Sequence, residues 1–397
     1  MNDPIQADLI IYSGAVYTAN SKVAMHFSGD LAFKDNKIIG IGKKDDLIKF
    51  LGKETQVINC SEDSLIMPAI NDSHMQLQYT IASLTGVPLR YVSSAQQCVA
   101  NAVAWGKKHS NCEWVFGLGW HFTHWQDKKP PDNALLNNAF PHRPVCLVDT
   151  DFHAAWLNDR ALVELGISKE STNPQGSVIT RNEDGSLTGY VQEKIVQEVA
   201  DLAIAYMELD TITMAENLRM LMRECNSYGI TGISDMLHTE EKWLSLFERL
   251  ASEGKLTCRI ALTENFWIDD FVTEADRLSG RFPDKEADVY FYGIKGFYDG
   301  VAMGHTSWQI NSFYNRPDYC GEPVVSEDVL CQKTMEAIQS GHHVHIHACG
   351  DMSIRKAMDW WEEELGKGLN RGDQRFTITH NDTVATADIP VTLSWGL

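Results

Sequence analysis

Apolar residues recur along this chain with two periods, and the switch between the two sets out its architecture. Short runs that alternate at period two, Ala7 to Ile11, Ala15 to Thr18, Asp30 to Phe33 and Lys37 to Ile41, are separated by turn signals such as Ser13-Gly14 and Asn36-Lys37. They predict a small all-β unit. Asp45 to Leu51 reads as a short helix, Thr55 to Asn59 as a further strand, and Ser64 to His74 as an apolar strand running into Asn71, Asp72 and His74. Helical periodicity holds from Ser93 to Ser110. Trp114 to Trp125 then opens as a strand and enters an aromatic-rich loop, and Pro144 to Asp149 is again a strand. Gly176 to Glu193 predicts a hairpin turning at Asp184-Gly185.

Beyond Thr213 helix and strand alternate. Met214, Leu218, Leu221 and Met222 mark one helical face closed by Gly229, and the strand ITGISDM follows. Helix Glu241 to Ser252, strand Thr257 to Leu262, strand Tyr290 to Gly300, the amphipathic segment Val329 to Gly341 and strand Arg375 to His380 continue the series. Such alternation predicts a β/α barrel, whose strands present polar groups at their carboxyl ends. His74, Asp235, His238 and His347 stand at such ends. In HHVHIHACGD, His342 to Asp351, the alternation puts His343, His345 and His347 on one face.

Composition narrows the partners. At 397 residues the chain exceeds a usual single core, so one large barrel with an appendage, or two domains, is expected. A net charge of -20 argues against nucleic acid. No run reaches the roughly eighteen apolar residues of a membrane span, and the start MNDPIQAD lacks a basic n-region. Nine scattered cysteines without a CxxC pair read as reduced thiols, so a cytoplasmic address is expected.

Lysine inside the strand YFYGIKGFYDG is costly to bury unless its amine has a task. A salt bridge from Lys295 to Asp299 is one answer. Clustered histidines allow metal ligation, or simple packing.

Several motifs together carry a resemblance. ADLIIYSGAVYTAN, LAFKDNKIIGIG and IMPAINDSHMQL resemble the opening of the metal-dependent amidohydrolases, in which a β-sandwich precedes the barrel and the first strand carries PGFxDxHxH. Here Pro68, Asp72 and His74 match, Ala69 replaces glycine, and Gln76 replaces the second histidine. HAAWLNDRAL and GSVITRNEDGSLTGYVQE resemble signatures of the branch related to N-substituted formamide deformylase. KGFYDG, HACGD and RFTITH resemble that branch's KxFxDG, HxxGD and RxxIEH, with Thr379 in place of glutamate.

The resemblance implies a TIM-like (β/α)8 metal-dependent hydrolase barrel with an N-terminal β-sandwich segment. The boundaries it suggests are 1–65 for the sandwich part and 66–397 for the barrel, with an inserted subdomain at about 112–205. It implies His74, Gln76, Lys295, His347 and His380 as ligands of zinc or another divalent metal, Lys295 being carboxylated by carbon dioxide. An amide oxygen from Gln76 is a weaker ligand than imidazole. His153, Trp120 and Asp299 are assigned to the substrate pocket, and His343 and His345 to packing or solvent.

The implied activity is hydrolysis of carbon-nitrogen bonds other than peptide bonds, of amide or formamide type, through a metal-activated water, with a small-molecule amide as substrate. The family's general-base aspartate is expected beyond Leu397, so no catalytic proton-transfer residue is assigned. A C-terminally shortened barrel is expected to expose strand edges and to self-associate into a homo-oligomer. A non-catalytic binding or regulatory homologue is the alternative, favoured by Gln76 and Thr379. The tail after Ile389 departs from the family pattern.

Overall fold

The structure is a computed structural model that describes residues 5–20, 22, 25–61, 63–174, 176–207, 210–368 and 372–390. The divergent tail after Ile389 lies mostly outside these residues. The chain divides into two compact units, 1–70 and 71–397.

The first unit holds a four-stranded sheet in the order Lys37–Gly42, Asp30–Lys34, Leu9–Tyr12, Gln56–Asn59. A two-stranded ribbon pairs Val16–Tyr17 with His26–Phe27. Ala7, Ile10, Ala32 and Leu47 form its small core. Asp30 is buried because its Oδ1 accepts the backbone amides of Ser13 and Gly14, which fixes the turn between the first two strands.

The second unit is built on a six-stranded sheet whose order follows the chain. Its strands are β1 (Ile70–Met75), β2 (Ile230–Asp235), β3 (Arg259–Asn265), β4 (Val289–Phe297), β5 (His343–Ala348) and β6 (Phe376–His380). From β2 to β6 each neighbouring pair is parallel. Helices Thr211–Ser227, Glu241–Ser252, Phe271–Arg281, Glu327–Gln339 and Asp351–Gly366 precede or separate these strands, as a TIM-like barrel requires.

Strand parity decides which residues reach the site. Ile260, Leu262, Ile294, Val344, Ile346 and Ile378 pack against the helices in one large core. Their alternates therefore point to the barrel interior. Register pairs place Asn265, Lys295, His345 and Thr377 in one row, and Phe297, His347 and Thr379 in the next.

Between β1 and β2 the chain builds a second six-stranded sheet, from Val87–Pro88 to Leu187–Glu193, with its own core. This sheet begins upstream of residue 112. Its hairpin, Ser177–Arg181 with Leu187–Glu193, turns through Asp184 and Gly185, where Gly185 takes φ +83°.

Candidate active site

Three imidazoles from three strands meet at the carboxyl end of the barrel sheet. The rings of His74 on β1 and His380 on β6 have centroids 4.8 Å apart, and those of His347 on β5 and His380 4.4 Å apart. All three are held neutral. Burial, then Lys295 and the neighbouring imidazoles, lowers His74 to about 3. Burial and Lys295 lower His380 to about 4. His347 lies well below the usual value, through burial and then His153, His380 and Lys295. Neutral imidazole is the form that binds metal.

The tautomer of His347 follows from its partner. Nε2 lies 3.3 Å from the carbonyl oxygen of Gly300, an acceptor only, so Nε2 carries the hydrogen and Nδ1 keeps its lone pair. A backbone carbonyl fixing the second ring nitrogen is how metal-ligating histidines are oriented. Cys349 Sγ and Asp299 Oδ1 also stand within 4.8 Å of His347. That trio is closed to a metal, because the shared nitrogen is protonated and Asp299 is spent elsewhere.

Lys295 is fully buried and donates from Nζ to the hydroxyl of Thr379 at 2.8 Å. It makes no pair with Asp299 among the described residues, so the salt-bridge answer to its burial does not hold. Burial pushes its amine down to about 7, which leaves much of it neutral near neutral pH. Thr379, where the related motif has glutamate, supplies its one oxygen partner among the described residues.

Backbone amides engage both oxygens of the Asp299 carboxylate. Its Oδ1 accepts the amide of Cys349, and its Oδ2 those of Gly350 and Trp308. It anchors the turn after β5 and lies 3.8 Å from His347 Nε2, so it acts through His347. Trp120 is likewise a packing residue. Its indole donates to the carbonyl of Leu147, and its ring packs on Trp125, Trp156 and Tyr190 inside the second core.

Gln76 fits a ligand role better. Its Oε1 is buried without a hydrogen-bond partner, an expensive state for an amide oxygen unless something fills it. His345 Nε2 is buried in the same state, and His345 lies beside Lys295 in the interior row. The sequence had assigned His343 and His345 to packing or solvent; both are buried, with Tyr292 packed against both rings.

The ring centroid of His153 lies 5.3 Å from that of His347. Its Nδ1 donates to Glu193 Oε2 at 2.8 Å. Burial alone would lower His153, but the Glu193 carboxylate, with Asp149 and Asp151 adding to it, outweighs burial and raises the imidazole to about 9. Glu193 was not foreseen. Its backbone is left-handed, φ +69°, and its Oε1 accepts the hydroxyl of Thr306. A single residue thus ties the hairpin to the loop after β4. In the sequence it is the last residue of GSVITRNEDGSLTGYVQE, a segment that carries no sign of a partner 40 residues upstream.

A family model described as the amidohydrolase family matches residues 56–397. The chain belongs to that family. Among relatives of this amidohydrolase, Protein LONG AFTER FAR-RED 3 of Arabidopsis thaliana is 26% identical over 393 residues, covering 96% of this chain and 65% of the relative. An N-substituted formamide deformylase of Arthrobacter pascens is 25% identical, covering 63% of this chain and 46% of its own length. The amidohydrolase thus spans less than two thirds of either relative. An uncharacterized metal-dependent hydrolase from Pyrococcus furiosus shares the fold with a TM-score of 0.66 at 22% identity, over 98% of this chain and 75% of the other. Among the described residues, no helix of the amidohydrolase is long and apolar enough to cross a membrane.

Proposed function

We propose that this amidohydrolase hydrolyses carbon-nitrogen bonds other than peptide bonds, of amide or formamide type, in a small-molecule substrate. The observation that carries the reading is the meeting of His74, His347 and His380, all neutral, beside a buried Lys295. Together with the partnerless oxygen of Gln76, this donor set fits a divalent cation such as zinc. A cation bound there supplies a Lewis acid and a water of lowered pKa.

The protein's own groups do the rest. Gly300 orients His347, and Thr379 holds Lys295. A neutral Lys295 amine can add carbon dioxide, and the carbamate so formed would offer oxygen ligands and remove the buried positive charge. His153 and Glu193 form a proton-carrying pair beside His347. That pair is suited to deliver a proton to the leaving nitrogen. All nine cysteines are free thiols, which supports a reducing, cytoplasmic setting.

Thr379 in the place of an acid, and Gln76 in the place of a histidine, favour a second reading, a binding homologue without catalysis. Zinc-loaded protein assayed against N-formyl and N-acetyl amines separates the two. Turnover abolished by chelator and restored by zinc supports the hydrolase. Metal uptake without turnover of any of these amides favours the binding homologue.

A further inference from the structure

A cavity of about 470 Å³ adjoins His153 on the side of the second sheet. This lies within the size range of small-molecule pockets, roughly 300–1,000 Å³. Phe122, Val178, Ile179, Met303 and Tyr319 supply much of its apolar wall. At its acidic side His121, Asp149 and Asp151 bring one nitrogen and two carboxylate oxygens within 4.8 Å of one another.

The backbone amide of Thr123 donates to His121 Nδ1, which favours the tautomer with its hydrogen on Nε2, facing Asp151 Oδ2 at 3.8 Å. Asp149 is 4% exposed and lines the cavity, and its Oδ1 accepts the amides of His153 and Ala154.

Negative charge is in excess here. Besides Asp149 and Asp151, Glu193 stands nearby, and among the described residues these three carboxylates share the His153 imidazolium, which is bonded to Glu193. The arginines of the cavity wall do not answer the two aspartates among the described residues. Arg181 bonds the carbonyls of Ile179 and Ser171 and the side chain of Asn173, and Arg316 is exposed. Burial is the largest influence on Asp149 and raises it to about 7, while the amide of Ala154 and the His153 imidazolium pull the other way. A chain of net charge -20 also draws cations toward such a cleft.

We propose that the cavity seats a cationic nitrogen of the substrate between Asp149 and Asp151, so that the substrates are amides whose amine half carries a second, basic nitrogen across a short apolar spacer. The assignment rests on the hydrolase reading for the bond that is broken. Water adds its oxygen to the acyl carbon, the carbon-nitrogen bond breaks, and the released nitrogen takes up the proton. The cavity then holds the diamine product by its far ammonium.

The test is calorimetric binding to the full chain in the presence of chelator, with three probes of matched length: cationic N-acetylputrescine, neutral N-butylacetamide and anionic N-acetyl-β-alanine. A carboxylate-ammonium hydrogen bond predicts at least about tenfold tighter binding of the cationic probe than of the neutral one. Asp149→Asn keeps the Oδ1 acceptor and should bring the two probes within about twofold of each other. Asp151→Asn, at a more exposed position, should reduce the preference in the same direction and serves if Asp149→Asn does not fold. Equal binding of cationic and neutral probes, tightest binding of the anion, or a preference unchanged in the variants overturns the proposal. Preference for the cationic probe without its hydrolysis after zinc is added would refute the hydrolase reading and leave the cavity's assignment standing.

Discussion

The imidazoles of His347 and His380, on adjacent parallel strands, lie with ring centroids 4.4 Å apart, and both are uncharged at neutral pH. His380 takes φ +75° to stand there, with Asn381 at φ +54° after it. Left-handed backbone at two successive non-glycine residues costs energy and is a recurrent mark of functional sites. Strain, neutral rings and a nearby buried amine work against stability in the metal-free chain. They are consistent with a site kept for a ligand.

Lys295 carries much of that cost. Replacing it with methionine fills the same space and removes a buried amine, so Lys295→Met should stabilise the metal-free chain by about 2–4 kcal/mol at pH 7 and below. The sign follows from the lowered pKa of about 7. Between about 7 and the 10.5 of a solvated lysine the unfolded chain holds more protons than the folded one, so wild-type stability rises with pH. The advantage of the variant therefore shrinks across that window. Urea unfolding in chelator at a series of pH values reads it.

Glu193→Gln probes the opposite sign. His153 is raised to about 9 from 6.5, so the stability it draws from Glu193 is complete below 6.5 and lost as pH rises through 9. The variant should be about 1–3 kcal/mol less stable than wild type at pH 6, with the gap closing by pH 10. Equal destabilisation at both pH values would mean that the hydrogen bond to Thr306 matters and the ion pair does not.

Gly300 is where the hairpin and the loop after β4 close on each other. A methyl group there would collide with the Glu193 carboxyl group and the Thr306 hydroxyl. Gly300→Ala should cost about 1–3 kcal/mol by overpacking. Because the Gly300 carbonyl also orients His347, zinc affinity should fall with it. Thermal melts with and without zinc separate the two effects.

Much of this fold was legible from periodicity. The register that sends Val344 and Ile346 to the core and His347 to the interior follows from strict alternation, and Glu241–Ser252 and Gly229 stand where the apolar period and the cap signal put them. Motif resemblance brought His74, Lys295, His347 and His380 forward as a set. Long-range partnerships were not legible. The spent carboxylate of Asp299, the clamp at Glu193 and the hydroxyl of Thr379 under Lys295 depend on contacts between residues 51 to 113 positions apart, which no local pattern records. Trp120 misled because an aromatic beside polar residues looks the same whether it lines a pocket or a core.

Metal stoichiometry tests the central claim most directly. Chelator-treated protein titrated with zinc, desalted and analysed by mass spectrometry should retain about one metal per chain, and His347→Ala and His380→Ala should each lose most of it while keeping the wild-type circular dichroism spectrum. Wild-type protein that retains no metal, or folded variants that retain as much as wild type, would contradict the account.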